Sequence, residues 1–280
     1  MVRKVRRTSS RTKRFKQRST SGNGSNLLWY VLIGVCVAII LAAVFGTRSL
    51  LSAQSIDETT LCHGEGPQSI TTILLDLTDP LSATQQSRLK TLIQNEISGS
   101  NTDTMLTLGI VSEFPERWGA MFAKCKPVTG AEANSLYENP RLISERYRSE
   151  FLDPITEKLN GTLNSSAENK SPIMEALQSL VASTPYFSQQ DLDRKIIIVS
   201  DMLQHSDNLS FYRGEDWTFF TKRDGEQRLA GNLSQVDVEI VRIPRSGGKT
   251  PPSNLVEDFW TRYFDRQGSR APTVTSLGDL

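Results

Sequence analysis

Two short apolar runs, each closed by an aspartate, constrain this chain more than any other feature. The first is Ile70-Thr-Thr-Ile-Leu-Leu-Asp76, followed by Leu77-Thr78-Asp79-Pro80. The second is Lys195-Ile-Ile-Ile-Val-Ser-Asp201, followed by Met202-Leu203. Runs of this length, rich in Ile and Leu and ending in polar turn residues, read as strands buried on both faces of a parallel sheet. In open α/β sheets, ligands bind beyond the carboxyl ends of the strands, where the strand order reverses. Both acids fall where such a site would lie.

The segments between these runs fit that architecture. Strand Ile70–Leu75 is followed by a helical pattern over 82–97, with Leu89, Leu92, Ile93 and Ile97 on one face. Met105–Val111 reads as a second strand and 114–130 as irregular. Residues 134–159 read as helical segments, 160–170 as a polar loop. Ser171-Pro172 then predicts a helix start, with serine as the cap and proline as the first helical residue. The strand Ile196–Val199, a polar and aromatic excursion over 204–225, the strand Val236–Ile243 and an amphipathic helix over 254–267 complete the pattern. Alternating strands and helices predict a doubly wound, mostly parallel sheet with helices on both faces.

The N-terminal part is of another kind. Of the 32 basic residues, nine lie before residue 27: Arg3, Lys4, Arg6, Arg7, Arg11, Lys13, Arg14, Lys16 and Arg18. No acid accompanies them. The other 23 face 31 acids, so the rest of the chain carries a balance of −8. The head, residues 1–26, cannot bury a core and is expected to be a disordered cytoplasmic tail. The uncharged stretch from Leu27 to Gly46 follows, and a transmembrane helix is predicted over 27–47. Trp29 and Tyr30 stand at its start, where aromatic rings favour the headgroup zone. The basic head places the N-terminus in the cytosol and the acidic body on the periplasmic or extracytoplasmic side. It is also expected to meet anionic lipids. A nucleic-acid role has no accompanying aromatic pattern. A linker is expected over 48–69, the main domain over 70–268 and a disordered tail over 269–280.

Cys36 lies within the apolar span. Cys62 and Cys125 are the two cysteines of the exported part, and an oxidising compartment predicts a disulfide between them. The histidines, His63 and His205, read as solvated residues.

Three pieces resemble the von Willebrand factor A (VWA) domain: Asp76-Leu77-Thr78-Asp79-Pro80 after the first strand, Ser171-Pro172-Ile173-Met174-Glu175-Ala176-Leu177 at a helix start, and Asp201 after a buried strand. Together with Cys62 and Cys125 they resemble a membrane-anchored bacterial group of such domains. The resemblance implies a binding domain for a protein or envelope partner and a Mg²⁺ site built from Asp76, Thr78, Ser171 and Asp201. The residue types suit a hard cation that prefers oxygen ligands. Pro80 departs from the family pattern by removing a hydroxyl. The alternative is a Mg²⁺-dependent phosphohydrolase of haloacid-dehalogenase-like type, with Asp76 as nucleophile and Asp201 and Asp207 as the acidic pair. In that reading Thr78 stands where the acid-base aspartate belongs.

Overall fold

The computed structural model describes residues 23–53, 56–134, 138–163, 167–229, 231–245 and 251–278, with side chains over 29–44 in the first helix. The basic residues Arg3 to Arg18 lie outside the described residues. The chain divides between Ser52 and Ala53.

The first unit contains one helix, α1 (Asn23–Ala53). It covers the whole apolar stretch and continues beyond the predicted end. Val31, Leu32, Ile39, Ile40 and Leu41 are all exposed, as is Cys36. Among the described residues no helix is long and apolar enough to cross a membrane. Residues 29–44 extend about 24 Å at 1.5 Å per residue. That is short of a hydrocarbon core of about 30 Å. The flanking apolar residues 27–28 and 45–46 have side chains outside the described residues.

Among its described residues the second unit holds six strands: β1 (Ser69–Asp76), β2 (Thr104–Val111), β3 (Ala120–Cys125), β4 (Asp193–Ser200), β5 (Asp237–Arg242) and β6 (Thr273–Ser276). Their order across the sheet is β3-β2-β1-β4-β5-β6. All neighbours are parallel except β2 and β3. The order reverses between β1 and β4, which makes that junction the switch point.

Among the described residues seven α-helices join the strands: α2 (Ala83–Gly99), α3 (Pro140–Tyr147), α4 (Asp153–Leu163), α5 (Ile173–Ser183), α6 (Trp217–Lys222), α7 (Gly225–Arg228) and α8 (Ser253–Arg266). α2 starts with a capping box between Ser82 and Gln85. α3 and α4 are joined by a π-helical segment, Arg148–Leu152, which turns Phe151 onto Phe122 of β3.

Burial explains the strand composition. Every residue of β2 is buried. On β4, Ile196 and Ile198 face one side of the sheet, Ile197 and Val199 the other. The first side is dominated by aromatic rings: Phe259 of α8 meets Phe211 and Phe220 edge-on, Tyr263 meets Phe220 edge-on, and Trp260 and Phe264 pack beside them. The second is mainly aliphatic, with Leu89, Ile93 and Ile97 of α2 and Ile155 and Leu159 of α4. Each fully buried side chain of this size contributes roughly 1.5–3 kcal/mol of transfer free energy. Gly109 of β2 allows the close approach of α5: a Cβ there would stand 2.6 Å from Leu180 and 2.8 Å from the Gly119 carbonyl.

The structure differs from the sequence pattern at four places. Residues 56–68, read from composition as a linker, are fastened to the body, with Leu61 and Cys62 buried and the Cys125 N–H donating to the Thr60 carbonyl at 2.7 Å. The stretch 114–130 contains β3, whose burial alternates too weakly to announce a strand. The tail 269–280 contains β6, and Leu277 is buried. In α5 the cap falls on Pro172, so Ser171 precedes the helix and leaves its hydroxyl free for another partner.

Candidate functional site

β1 and β4 run side by side, with Leu75 opposite Val199. Their carboxyl ends therefore deliver Asp76, Ser200 and Asp201 to one place. Asp76 is almost fully buried. Its Oδ1 accepts from the Thr78 hydroxyl at 2.7 Å and from the Thr78 N–H at 3.3 Å. Its Oδ2 accepts from Ser200 Oγ at 2.6 Å and from Ser171 Oγ at 3.1 Å. Ser171 is held there by a two-bond backbone bridge to His205. Three segments distant in sequence are thus tied to one carboxylate.

Asp201 makes a different set of contacts. Its Oδ1 accepts from the Leu203 N–H at 2.9 Å, and its Oδ2 from Arg245 Nε at 3.1 Å. Arg245 Nη1 donates to the Pro80 carbonyl at 3.2 Å, and Nη2 lies 3.8 Å from Asp79. One guanidinium therefore joins the ends of β1, β4 and β5. Burial, and then the nearby Asp76 charge, push the Asp201 carboxyl up to about 6, against the pull of the Leu203 N–H and Arg245. Directly after Asp201, Met202 adopts φ +65, a left-handed conformation that costs a non-glycine residue of order 1–3 kcal/mol. Its N–H donates to Ser200 Oγ and its carbonyl accepts from Trp260 Nε1, which hold the strained turn.

The loop after Asp201 is fastened to α5 by Glu175. This buried carboxylate accepts from Gln204 Nε2, Ser206 Oγ and Asn208 Nδ2 at 2.6–2.9 Å. Outside it lies a polar crevice of about 280 Å³ whose lining includes Thr78, Asp79, Lys170, His205 and Tyr212. Tyr212 is half exposed and meets the His205 ring edge-on at 5.4 Å. Burial, then Arg213 and Lys170, lower the His205 pKa below the usual imidazole value. Lys170 reaches both oxygens of the exposed Asp207 at 2.8 Å.

No protein-family model matches the chain, and no match is found among curated proteins. Among solved structures it is similar to an aerotolerance-related membrane protein of Bacteroides fragilis, with 12% identity over 75% of this chain and 92% of that one, at a TM-score of 0.35. The conserved hypothetical protein BatB of Bacteroides thetaiotaomicron gives 13% identity over 74% and 91%, at 0.35. The VWA domain of SpRpn10 gives 11% over 75% and 87%, at 0.37. Likeness at these values concerns the fold alone and says nothing of a ligand.

Of the residues expected to hold Mg²⁺, Thr78 and Ser171 both donate to Asp76, while Asp201 is turned to Arg245. A divalent ion there needs free carboxylate oxygens in an octahedral shell. The Asp201 oxygens already serve an N–H and a guanidinium, and Pro80 offers a carbonyl to Arg245 where a hydroxyl would serve a metal. As arranged, this donor set does not fit a divalent cation. Among the described residues, no group of three or more His, Cys, Asp or Glu side chains is placed to hold a metal.

The sequence reading assigned no role to Ser200 or Arg245. A signal existed for both. Ser200 is the last residue of a buried apolar run, and Arg245 follows the strand Val236–Ile243, so the strand-end rule that singled out Asp76 and Asp201 applies equally to them. Cys62 and Cys125 form the expected disulfide at the opposite end of the sheet, beside the start of β2.

Proposed function

We propose that this protein is a single-pass membrane protein with a cytoplasmic N-terminus, whose exported VWA-like body binds another protein or an envelope component through its strand-end face. The observation that carries the reading is the internal satisfaction of the site. Asp76 is buried and both of its oxygens accept from within the chain. A carboxylate so enclosed cannot reach an electrophile in line, which argues against the phosphohydrolase alternative. Asp207, which that alternative needs beside Asp201, is engaged with Lys170 at the exposed rim. One opening of this face to solvent is the polar crevice lined by Tyr212, Lys170 and His205, and amphipathic aromatic rings of this kind recur at binding hot spots.

The membrane reading rests on the exposed apolar side chains of α1 and on the nine basic residues before it. Those residues are the natural contact for anionic headgroups, at about 1 kcal/mol per Lys or Arg near the surface. One experiment tests both halves. A photo-crosslinking residue is placed at Tyr212 or, as a control, at Asp191 beyond the opposite end of β4, and illuminated in intact cells. A discrete adduct from position 212 alone is expected. Equal adducts from both positions, or adducts to cytosolic proteins, would refute the face or the topology respectively.

A further inference from the structure

We infer that Arg245 is the resident cation of the strand-end site, standing where a divalent ion would otherwise be required, and that the site operates without metal. The inference concerns the domain alone and holds whether or not a protein docks there.

Two carboxylates at neighbouring strand ends create a charge problem that some cation has to solve. Asp201 is nine-tenths buried, and Asp76 closes the strand that runs parallel beside it. Arg245 answers from the far side. Its guanidinium is mostly enclosed, its Nε donates to Asp201, and its Nη1 fixes the Pro80 carbonyl. Pro80 cannot offer a hydroxyl ligand, yet its carbonyl serves the guanidinium well. The loss of one metal ligand and the presence of one protein cation thus occur at the same spot. Arginine suits the task because its charge persists at any accessible pH and its planar fork spans two acceptors on different loops. The fork has capacity left. Arg245 Nη2 is buried and makes no hydrogen bond, lying 3.8 Å from the Asp79 carboxylate.

A charge supplied by the chain differs from a charge supplied by an ion. It is always present and cannot be removed by chelation. It also makes the three strand ends mutually dependent, because β1, β4 and β5 are joined through one side chain.

The test is Mn²⁺ uptake by the full chain in detergent micelles, read from the loss of the free ion's paramagnetic signal. Wild type is expected to leave the signal unchanged up to about 1 mM, the weak end of hard-cation affinities in proteins. R245K, which keeps a cation, should behave the same way. R245M should take up one Mn²⁺ at least roughly tenfold more tightly than wild type, and R245M/D201N should lose it again. Thermal melting of each variant verifies folding. If R245M does not melt cooperatively, R245Q, which keeps a polar head without the charge, decides by the same criterion. Uptake of one Mn²⁺ by wild type that D201N abolishes would overturn it. So would a folded R245M that still refuses the ion, since exclusion would then come from Pro80 and not from the arginine.

Discussion

The two ends of the sheet solve the same problem by different means. At the amino ends of β1, β2 and β4 the chain is closed by a covalent bond, Cys62–Cys125, and by groups with fixed partners. Arg194 is buried there and donates to the Phe187 and Ser234 carbonyls, and Lys126 to the carbonyls that end α2. At the carboxyl ends no covalent bond exists. Two acids, three hydroxyls and one arginine hold the loops through hydrogen bonds and charge, around a strained turn at Met202. The first end resists change of any kind. The second is sensitive to charge and pH, and it is the end that opens on a crevice. Strength has been placed away from the site, and adjustability at it.

The largest effect that separates the ends should come from the disulfide. Its residues are 63 apart in sequence. A loop of that size gives about 4 kcal/mol on the unfolded-chain entropy model. C62S/C125S should therefore lose about this much in denaturant unfolding, with the strand-end contacts unchanged. A loss under about 1 kcal/mol would show that the hydrogen bonds of residues 56–68 already close this end.

Next comes the arginine at the other end. R245M leaves Asp201 buried without its counter-charge, and breaking such a pair costs about 2–3 kcal/mol at this degree of enclosure. Unlike the disulfide effect, this one should depend on pH. The folded-state pKa of Asp201, about 6, lies above the ordinary carboxylate value of 3.8. Between those values the folded chain binds a proton that the unfolded chain has released, so this group's contribution to stability falls as pH rises through the window. Removing Arg245 raises the folded pKa further. The R245M deficit should then be larger at pH 8 than at pH 5, where Asp201 takes up its proton. Melting curves across that range check it, and a deficit that does not vary with pH would mean that the guanidinium acts by packing alone.

The same contrast explains what was legible in the sequence. The strands β1, β2, β4 and β5 announce themselves because burial on both faces demands continuous apolar runs. Asp76 and Asp201 stand out because they interrupt those runs. β3 and β6 were hidden for the converse reason. They lie at the two sheet edges, and β6, Thr-Val-Thr-Ser, is exposed along its whole length, so neither needs an apolar pattern. The partner of Asp201 was hidden because an arginine after a strand is ordinary in sequence. Only the register of β4 against β5 brings residue 245 to residue 201. The disulfide was legible from compartment and count. The fastening of residues 56–68 was not, since a polar composition does not reveal a backbone hydrogen bond.

A smaller effect should follow from Ser200. Its hydroxyl donates to Asp76 and accepts from the Met202 N–H, so it links both acids' loops. S200A leaves a buried N–H and one carboxylate lone pair short of partners. A loss of about 1–2 kcal/mol is expected, with the unfolding slope unchanged. A neutral result would show that Thr78 and Ser171 satisfy Asp76 without it.

The smallest effect on stability should come from the rim, and it is the most informative about function. Lys170, which lines the crevice, pairs with Asp207, and both groups are well exposed. Exposed ion pairs contribute little because water screens them and two flexible side chains must be held in one geometry. K170A should therefore leave the melting temperature where it is. If the crevice is the docking face, the same substitution changes the charge a partner meets and should weaken the Tyr212 crosslink. T261A, on the outer surface of α8, is the matched control and should change neither quantity. A variant that alters binding without altering stability belongs to the adjustable end of the sheet. A K170A protein that binds as wild type would move the docking face elsewhere on the body, while the fold and the Arg245 contacts would stand.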